Sequence, residues 1–182
     1  IGCNMEKELI LESPVMDINF YFEDFEISES DLQSYEMILD FFCEAIIDLK
    51  NETLNLDHEK FILNINLVSD SVITELNLEH RGKGKITDVL SFPMQESIRN
   101  SEFDTFNNEI ELGDLFVCRS VCEDQAVEFR IPYIDEFVHL VAHGFLHLCG
   151  YDHEVSKAEE ELMEAFEKEI IENISAIKKS EE

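Results

Sequence analysis

The sequence predicts a single α/β or α+β domain built on a sheet of about four strands. Three observations carry that expectation. The chain has 182 residues, the size of one ordinary domain. Hydrophobic residues make up 45% of it, and 14 Phe are spread along its length, enough to build a core. Segments that alternate with period two are interleaved with segments of helical spacing.

The elements follow in order. Residues 15–22 (VMDINFYF) alternate as a first strand. Ser28, Glu29, Ser30 and Asp31 supply N-cap chemistry. From there to about Lys50, Leu32, Tyr35, Ile38, Leu39, Phe42, Ala45, Ile46 and Leu49 recur at helical spacing. Residues 61–68 (FILNINLV) alternate as a strand, and Ser69, Asp70 and Ser71 cap a helix through Ile73, Leu76 and Asn77. Residues 80–85 (HRGKGK) read as a loop, 88–93 (DVLSFP) as a short strand ended by Pro, and 95–108 as a polar, mobile loop. The next strand is 110–118, where Gly113 marks a bulge or a close approach. Helices at 119–129, 132–149 and 156–173 complete the chain. In the last, Leu162, Ala165, Phe166, Glu169 and Ile170 form the expected inward stripe. The four residues before Met5 read as an expression remnant, leaving 5–182 as one domain.

Composition excludes several classes. Three Pro and six Gly rule out collagen-like and Pro-rich chains. No stretch approaches the roughly 18 uninterrupted apolar residues of a membrane span, so no membrane role is expected. Glu6, Lys7, Glu8 and Glu12 stand where a secretory signal would carry a basic and then an apolar region. Five Cys, an odd number, read as free thiols in a reducing compartment, which predicts a cytoplasmic protein. Cys118 and Cys122 could open a zinc site, but no second Cys pair follows at finger spacing. They read as buried small apolar side chains. The charge is lopsided: 13 Lys+Arg against 42 Asp+Glu give a net charge of -29. Such a surface repels polyanions at long range, so a polyanionic substrate needs a local positive site.

The chemistry concentrates in HLVAHGFLHLCGYDH, residues 139–153. His143 and His147 are i and i+4, so on a helix they share one face and reach one metal ion. Gly150 can take positive φ and turn the chain, and His153 then supplies a third nitrogen. Three imidazoles leave a fourth tetrahedral position open, the catalytic arrangement rather than the closed structural one. His139 shares the face and reads as a packed residue, or as one supporting the ligands or touching substrate. The spacing matches the metzincin protease pattern H-E-x-x-H-x-x-G-x-x-H, but Gly144 replaces the Glu that serves as general base. A helical Gly costs about 0.8–1 kcal/mol against Ala, and here it leaves room for a bulky group beside the ion. A second cluster, Arg81, Lys83 and Lys85, holds three cations in five positions, a solvated loop or a phosphate contact.

The chain resembles the YbeY family of metal-dependent endoribonucleases. The resemblance rests on HGFLHLCGYDH at 143–153, TDVLSFP at 87–93, Leu112-Gly113-Asp114, and the spacing of Asn77 and Arg81. It implies an α+β fold, a mixed sheet of about four strands packed with about five to six helices, and one Zn²⁺ per chain held by His143, His147 and His153. It implies single-stranded RNA cleavage in 16S rRNA 3′-end maturation and ribosome quality control, with small-subunit ribosomal proteins or a ribosome-assembly GTPase as partners. Arg81, His143 and His147 are carried over as catalytic residues.

A His-held ion can polarise a phosphoryl oxygen or acidify a water molecule. Arg81 has the fork to hold a phosphate. Asp88, Asp152 and His139 are the candidates for general base, Ser91 joins them as a substrate neighbour, and Lys83 and Lys85 are candidate RNA contacts. Two other readings stand beside this one: a metzincin-like metalloprotease, and a non-catalytic ribosome-associated factor that binds through its acidic surface.

Overall fold

The computed structural model describes residues 7–22, 27–47 and 59–181. The start of the chain, including Cys3, and the expected end of the first helix at Leu49 and Lys50 lie outside them. The elements are β1 (Lys7–Glu12), β2 (Met16–Phe22), α1 (Glu29–Ala45), β3 (Lys60–Val68), α2 (Asp70–Arg81), β4 (Val89–Pro93), β5 (Glu109–Cys118), α3 (Arg119–Phe129), α4 (Tyr133–Leu148) and α5 (Lys157–Glu181). The fold is α+β. Its mixed sheet has five strands in the order β1-β2-β3-β5-β4. Strands β2, β3 and β5 run parallel, while β1 and β4 pair antiparallel at the two edges.

The fifth strand is β1, absent from the expected four. Its burial alternates, with Leu11 buried and its neighbour Ile10 54% exposed, but its sequence KELILE hides the pattern because the outward-facing Ile10 is apolar too. The inner strands imprint it clearly, and Phe61, Leu63, Ile65 and Leu67 of β3 are all fully buried on one face. That face carries α1, α4 and α5. The opposite face is polar at β2 and β3, where Asn19 donates to Asn64 at 2.9 Å. Among the described residues, α2 covers its β4–β5 end, over Val68, Ile73, Leu90 and Cys118.

Helix α1 starts where expected, with the Ser28 side chain accepting from the Asp31 N–H. Helix α2 runs further than expected and ends at Gly82, whose φ is 67°. His80 and Arg81 therefore sit on a last helical turn, not in a loop. Gly113 is both bulge and close approach. The β3–β5 register shifts there, and a Cβ would lie 2.1 Å from the Phe92 carbonyl oxygen. The inward stripe of α5 is Met163, Phe166, Ile170 and Ile174. Leu162, Ala165 and Glu169 are exposed, because the helix is rotated by one position from the expected face.

Segment 95–108 is tied down rather than free. Ser97 and Glu102 exchange backbone hydrogen bonds of 3.0 and 2.8 Å, and a short 3-10 turn (Ile98–Asn100) buries Ile98 in the main core. Cys43, Cys118, Cys122 and Cys149 are free and buried, as apolar fillers are. No helix of the described residues is long and apolar enough to cross a membrane.

Candidate metal centre and its cleft

Helix α4 crosses β4 and β5 with nearly every residue buried, from Phe137 to Leu148. His139, His143 and His147 are its half-buried exceptions, one per turn along one stripe. Gly144, between two of them, packs against Leu115 of β5 and Ser91 of β4. A Cβ there would lie 2.7 Å from Leu115 Cδ2 and 3.2 Å from Ser91 Oγ. The glycine leaves this contact clear, and the Ser91 that it faces also lines the cleft of the histidines. It lets the helix lie directly on β4 and β5. A Glu at this position would meet Leu115 Cδ2 with its Cβ, so it would need the Leu115 side chain to shift.

After Leu148 the chain turns at Gly150, φ 95°, and brings His153 back to the cluster. The ring centroids of His143 and His147 are 4.7 Å apart, and each is 5.2 Å from that of His153. One ligand nitrogen from each of the three lies within 4.8 Å of the others, and the Nε2 atoms of His143 and His147 are 3.1 Å apart. Among the described residues these three are the one group so arranged.

The outward nitrogens are taken. His147 Nδ1 donates to the Tyr151 carbonyl at 2.9 Å, and His143 Nδ1 meets Glu167 Oε1 of α5 at 2.5 Å. Those partners turn both Nε2 atoms inward, the arrangement that orients metal-bound imidazoles. Burial, helped by the neighbouring His143, pushes the His147 pKa down and favours the neutral ring that a metal requires. Burial alone would raise the Glu167 carboxyl, but the His139 and His143 imidazoles outweigh it and hold the pKa down at about 2. The donor set fits a borderline divalent ion such as zinc.

The histidines form one wall of a cleft of about 520 Å³. Arg81 and Lys83 face them from the end of α2, and Thr87, Asp88 and Ser91 line the side at β4. Asp152 lies at the rim, next to His153. Three expected residues are arranged differently. Lys85 is exposed but does not line the cleft; its carbonyl accepts from the Asn77 side chain at 2.7 Å, which holds the basic loop in place. His139 also lies off the cleft, 3.5 Å from Glu136 and 3.7 Å from Glu167. Asp88 accepts from Thr87, from the Val89 N–H and from Gln125 at 3.1, 2.8 and 3.1 Å, which engages both its oxygens. Burial would raise its pKa, but these bonds together lower it.

Glu167 is the functional-site residue that sequence reasoning missed. It lies 24 positions from His143 within a run of Glu, and only the packing of α5 on α4 singles it out. Along a predicted α5, its register with Ile170 and Ile174 was the available signal: an acid on an apolar stripe needs a partner.

Fold and site together define a class: α+β proteins that carry three converging histidines on a helix and the turn after it. Comparison with known proteins narrows the class. Residues 24–175 match the family model described as Endoribonuclease YbeY. The chain is 39% identical over 133 residues to an Endoribonuclease YbeY of Persephonella marina, covering 73% of this chain and 82% of that protein. It is 35% identical over 130 residues to one from a Wolbachia of Drosophila simulans, covering 71% and 80%. The solution structure of a Thermotoga maritima protein superposes with a TM-score of 0.54 at 28% identity, over 90% of this chain and 93% of that one. The chain belongs to the YbeY endoribonuclease family.

Proposed function

We propose that this chain is a zinc-dependent endoribonuclease specific for single strands, acting on precursor rRNA in 16S 3′-end maturation and in ribosome quality control, in the cytoplasm. Residues 5–182 act as one domain, with small-subunit ribosomal proteins or a ribosome-assembly GTPase as its partners. The observation that carries the reading is the pairing, in one cleft, of three converging imidazoles with Arg81 and Lys83. Neither cation has an ion-pair partner among the described residues, although the net charge is -29. They answer the need for a local positive site.

His143, His147 and His153 would hold one ion. When bound, it supplies Lewis-acid polarisation of a phosphoryl oxygen. Arg81 offers a planar fork to two non-bridging phosphate oxygens and stabilises charge that grows in the transition state. Lys83 adds a point charge for a neighbouring phosphate. Of the candidate bases, Asp88 is committed to three donors and His139 lies off the cleft. Asp152, which lines the cleft and accepts from the Glu154 N–H alone among the described residues, is the remaining candidate to take a proton. The protease reading lacks its general base, because Gly144 stands where that pattern carries Glu.

Purified protein loaded with zinc is expected to cut a single-stranded RNA and spare the same sequence in a duplex. Arg81→Ala should keep the zinc and lose cleavage by roughly 10²–10³-fold, the scale for one transition-state donor. Arg81→Lys should recover only part, since a point charge cannot reproduce the fork. An Arg81→Ala protein that cuts at the wild-type rate would refute the role given to Arg81.

A further inference from the structure

Nothing in the three-histidine pattern accounts for segment 95–108, yet this segment grips the turn that carries the third histidine. The Arg99 N–H donates to the Cys149 carbonyl at 3.0 Å, at the C-cap of α4. The Arg99 guanidinium donates through both terminal nitrogens to the Glu159 carboxylate in the first turn of α5. The same guanidinium lies 4.5 Å above the Tyr151 ring, whose other neighbour is Phe166 of α5 at 5.2 Å. Ser97 packs so closely under the turn that a Cβ on Gly150 would fall 2.6 Å from its Oγ.

Tyr151 is the pivot of this arrangement. Its carbonyl accepts from His147 Nδ1, and His153 follows two residues later. Arg99 thus ties to the end of α4 through its backbone N–H, and to the turn and the start of α5 through its side chain.

We propose that Arg99 is a positioning residue for the metal centre: by clamping Tyr151 between segment 95–108 and α5, it fixes the orientation of His147 and the return of His153. The inference rests on reading the three histidines as a metal centre. Arg99 never meets substrate in this role. Its effect passes through the Tyr151 carbonyl and the backbone of residues 149–153. A guanidinium suits the position because it stacks on a ring and forks onto a carboxylate at once, which an ammonium does not. Partners that orient metal ligands commonly change metal affinity by 10–100-fold when removed.

The test measures zinc affinity of the metal-free chain by competition with a chromogenic chelator, at a temperature where every variant is folded by circular dichroism. Arg99→Met keeps the aliphatic stem and should weaken zinc by roughly tenfold or more. Arg99→Lys should fall between the two. Glu159→Gln attacks the clamp from its other end, serves if Arg99→Met does not fold, and should weaken zinc in the same direction. Arg119→Met removes a comparable ion pair with Glu123, away from the histidines, and should leave zinc affinity unchanged. Wild-type zinc affinity in both Arg99→Met and Glu159→Gln would overturn the proposal alone. An equal loss in Arg119→Met would overturn it too, by showing an effect of general stability. A wild-type chain with no zinc affinity would overturn the metal reading itself, and this proposal with it.

Discussion

At His143 the nitrogen turned away from the cluster meets the Glu167 carboxylate, and at His147 it meets a backbone carbonyl. The first contact can be removed by mutation and the second cannot. Glu167→Ala should therefore weaken zinc by roughly 10–100-fold and leave the fold intact, and Glu167→Gln should lose less because it still accepts a hydrogen bond. Chelator competition measures both. Asp88 makes a separate prediction. Its folded pKa lies below the ordinary Asp value of about 3.9, so it stabilises the fold above that pH. The contribution is lost as pH falls through the folded pKa. In zinc-free protein, the stability of Asp88→Asn should accordingly fall less than that of the wild type between neutral and acid pH. Denaturant melts at several pH values check this, and parallel curves would contradict it.

At the scale of elements, α5 does two jobs. Met163, Ile170 and Ile174 are buried to within 2% and hold the helix on the core, while Glu167 reaches the site. Ile170→Ala should cost about 2–5 kcal/mol of stability, read from denaturant midpoints. Glu161, exposed and paired with Lys157, should tolerate reversal to Lys with no loss of RNA cleavage. Glu160 differs from it, because it lines a small cavity with His143 and His153. How legible each element was follows from what it packs against. Strands β2 and β3, which bury one full face, announced themselves by alternation. The edge strand β1 did not, because its outward-facing Ile10 is as apolar as Leu9 and Leu11 beside it. Helix α2 was cut short because HRGKGK looks like loop, whereas the helix stops only where Gly82 takes positive φ. The histidines were legible because i, i+4 and a Gly turn are local. Glu167 and Arg99 were not: their partners lie 24 and 60 positions away, and charged residues in an acidic chain look alike until packing selects one.

For the whole molecule, the decisive quantity is the net charge of -29. It withholds long-range attraction from any RNA, so binding must rest on the few cations beside the cleft. Each phosphate neutralised on a single strand contributes a slope of about -0.7 in log affinity against log salt, and few contacts mean a shallow total. The same charge makes Arg81 and Lys83 hard to replace from elsewhere on the surface, which is why the loss at Arg81 should be large. The central claim is that three imidazoles on a helix and its turn hold one ion, and that RNA cleavage needs it. Its most direct test is to titrate zinc into metal-free wild type and His147→Ala while following cleavage of a single-stranded RNA. Cleavage by the wild type should rise with zinc and level off at one equivalent per chain, and the variant should neither retain zinc nor cut. Full cleavage by metal-free wild type, or stoichiometric zinc retained by His147→Ala, would contradict it.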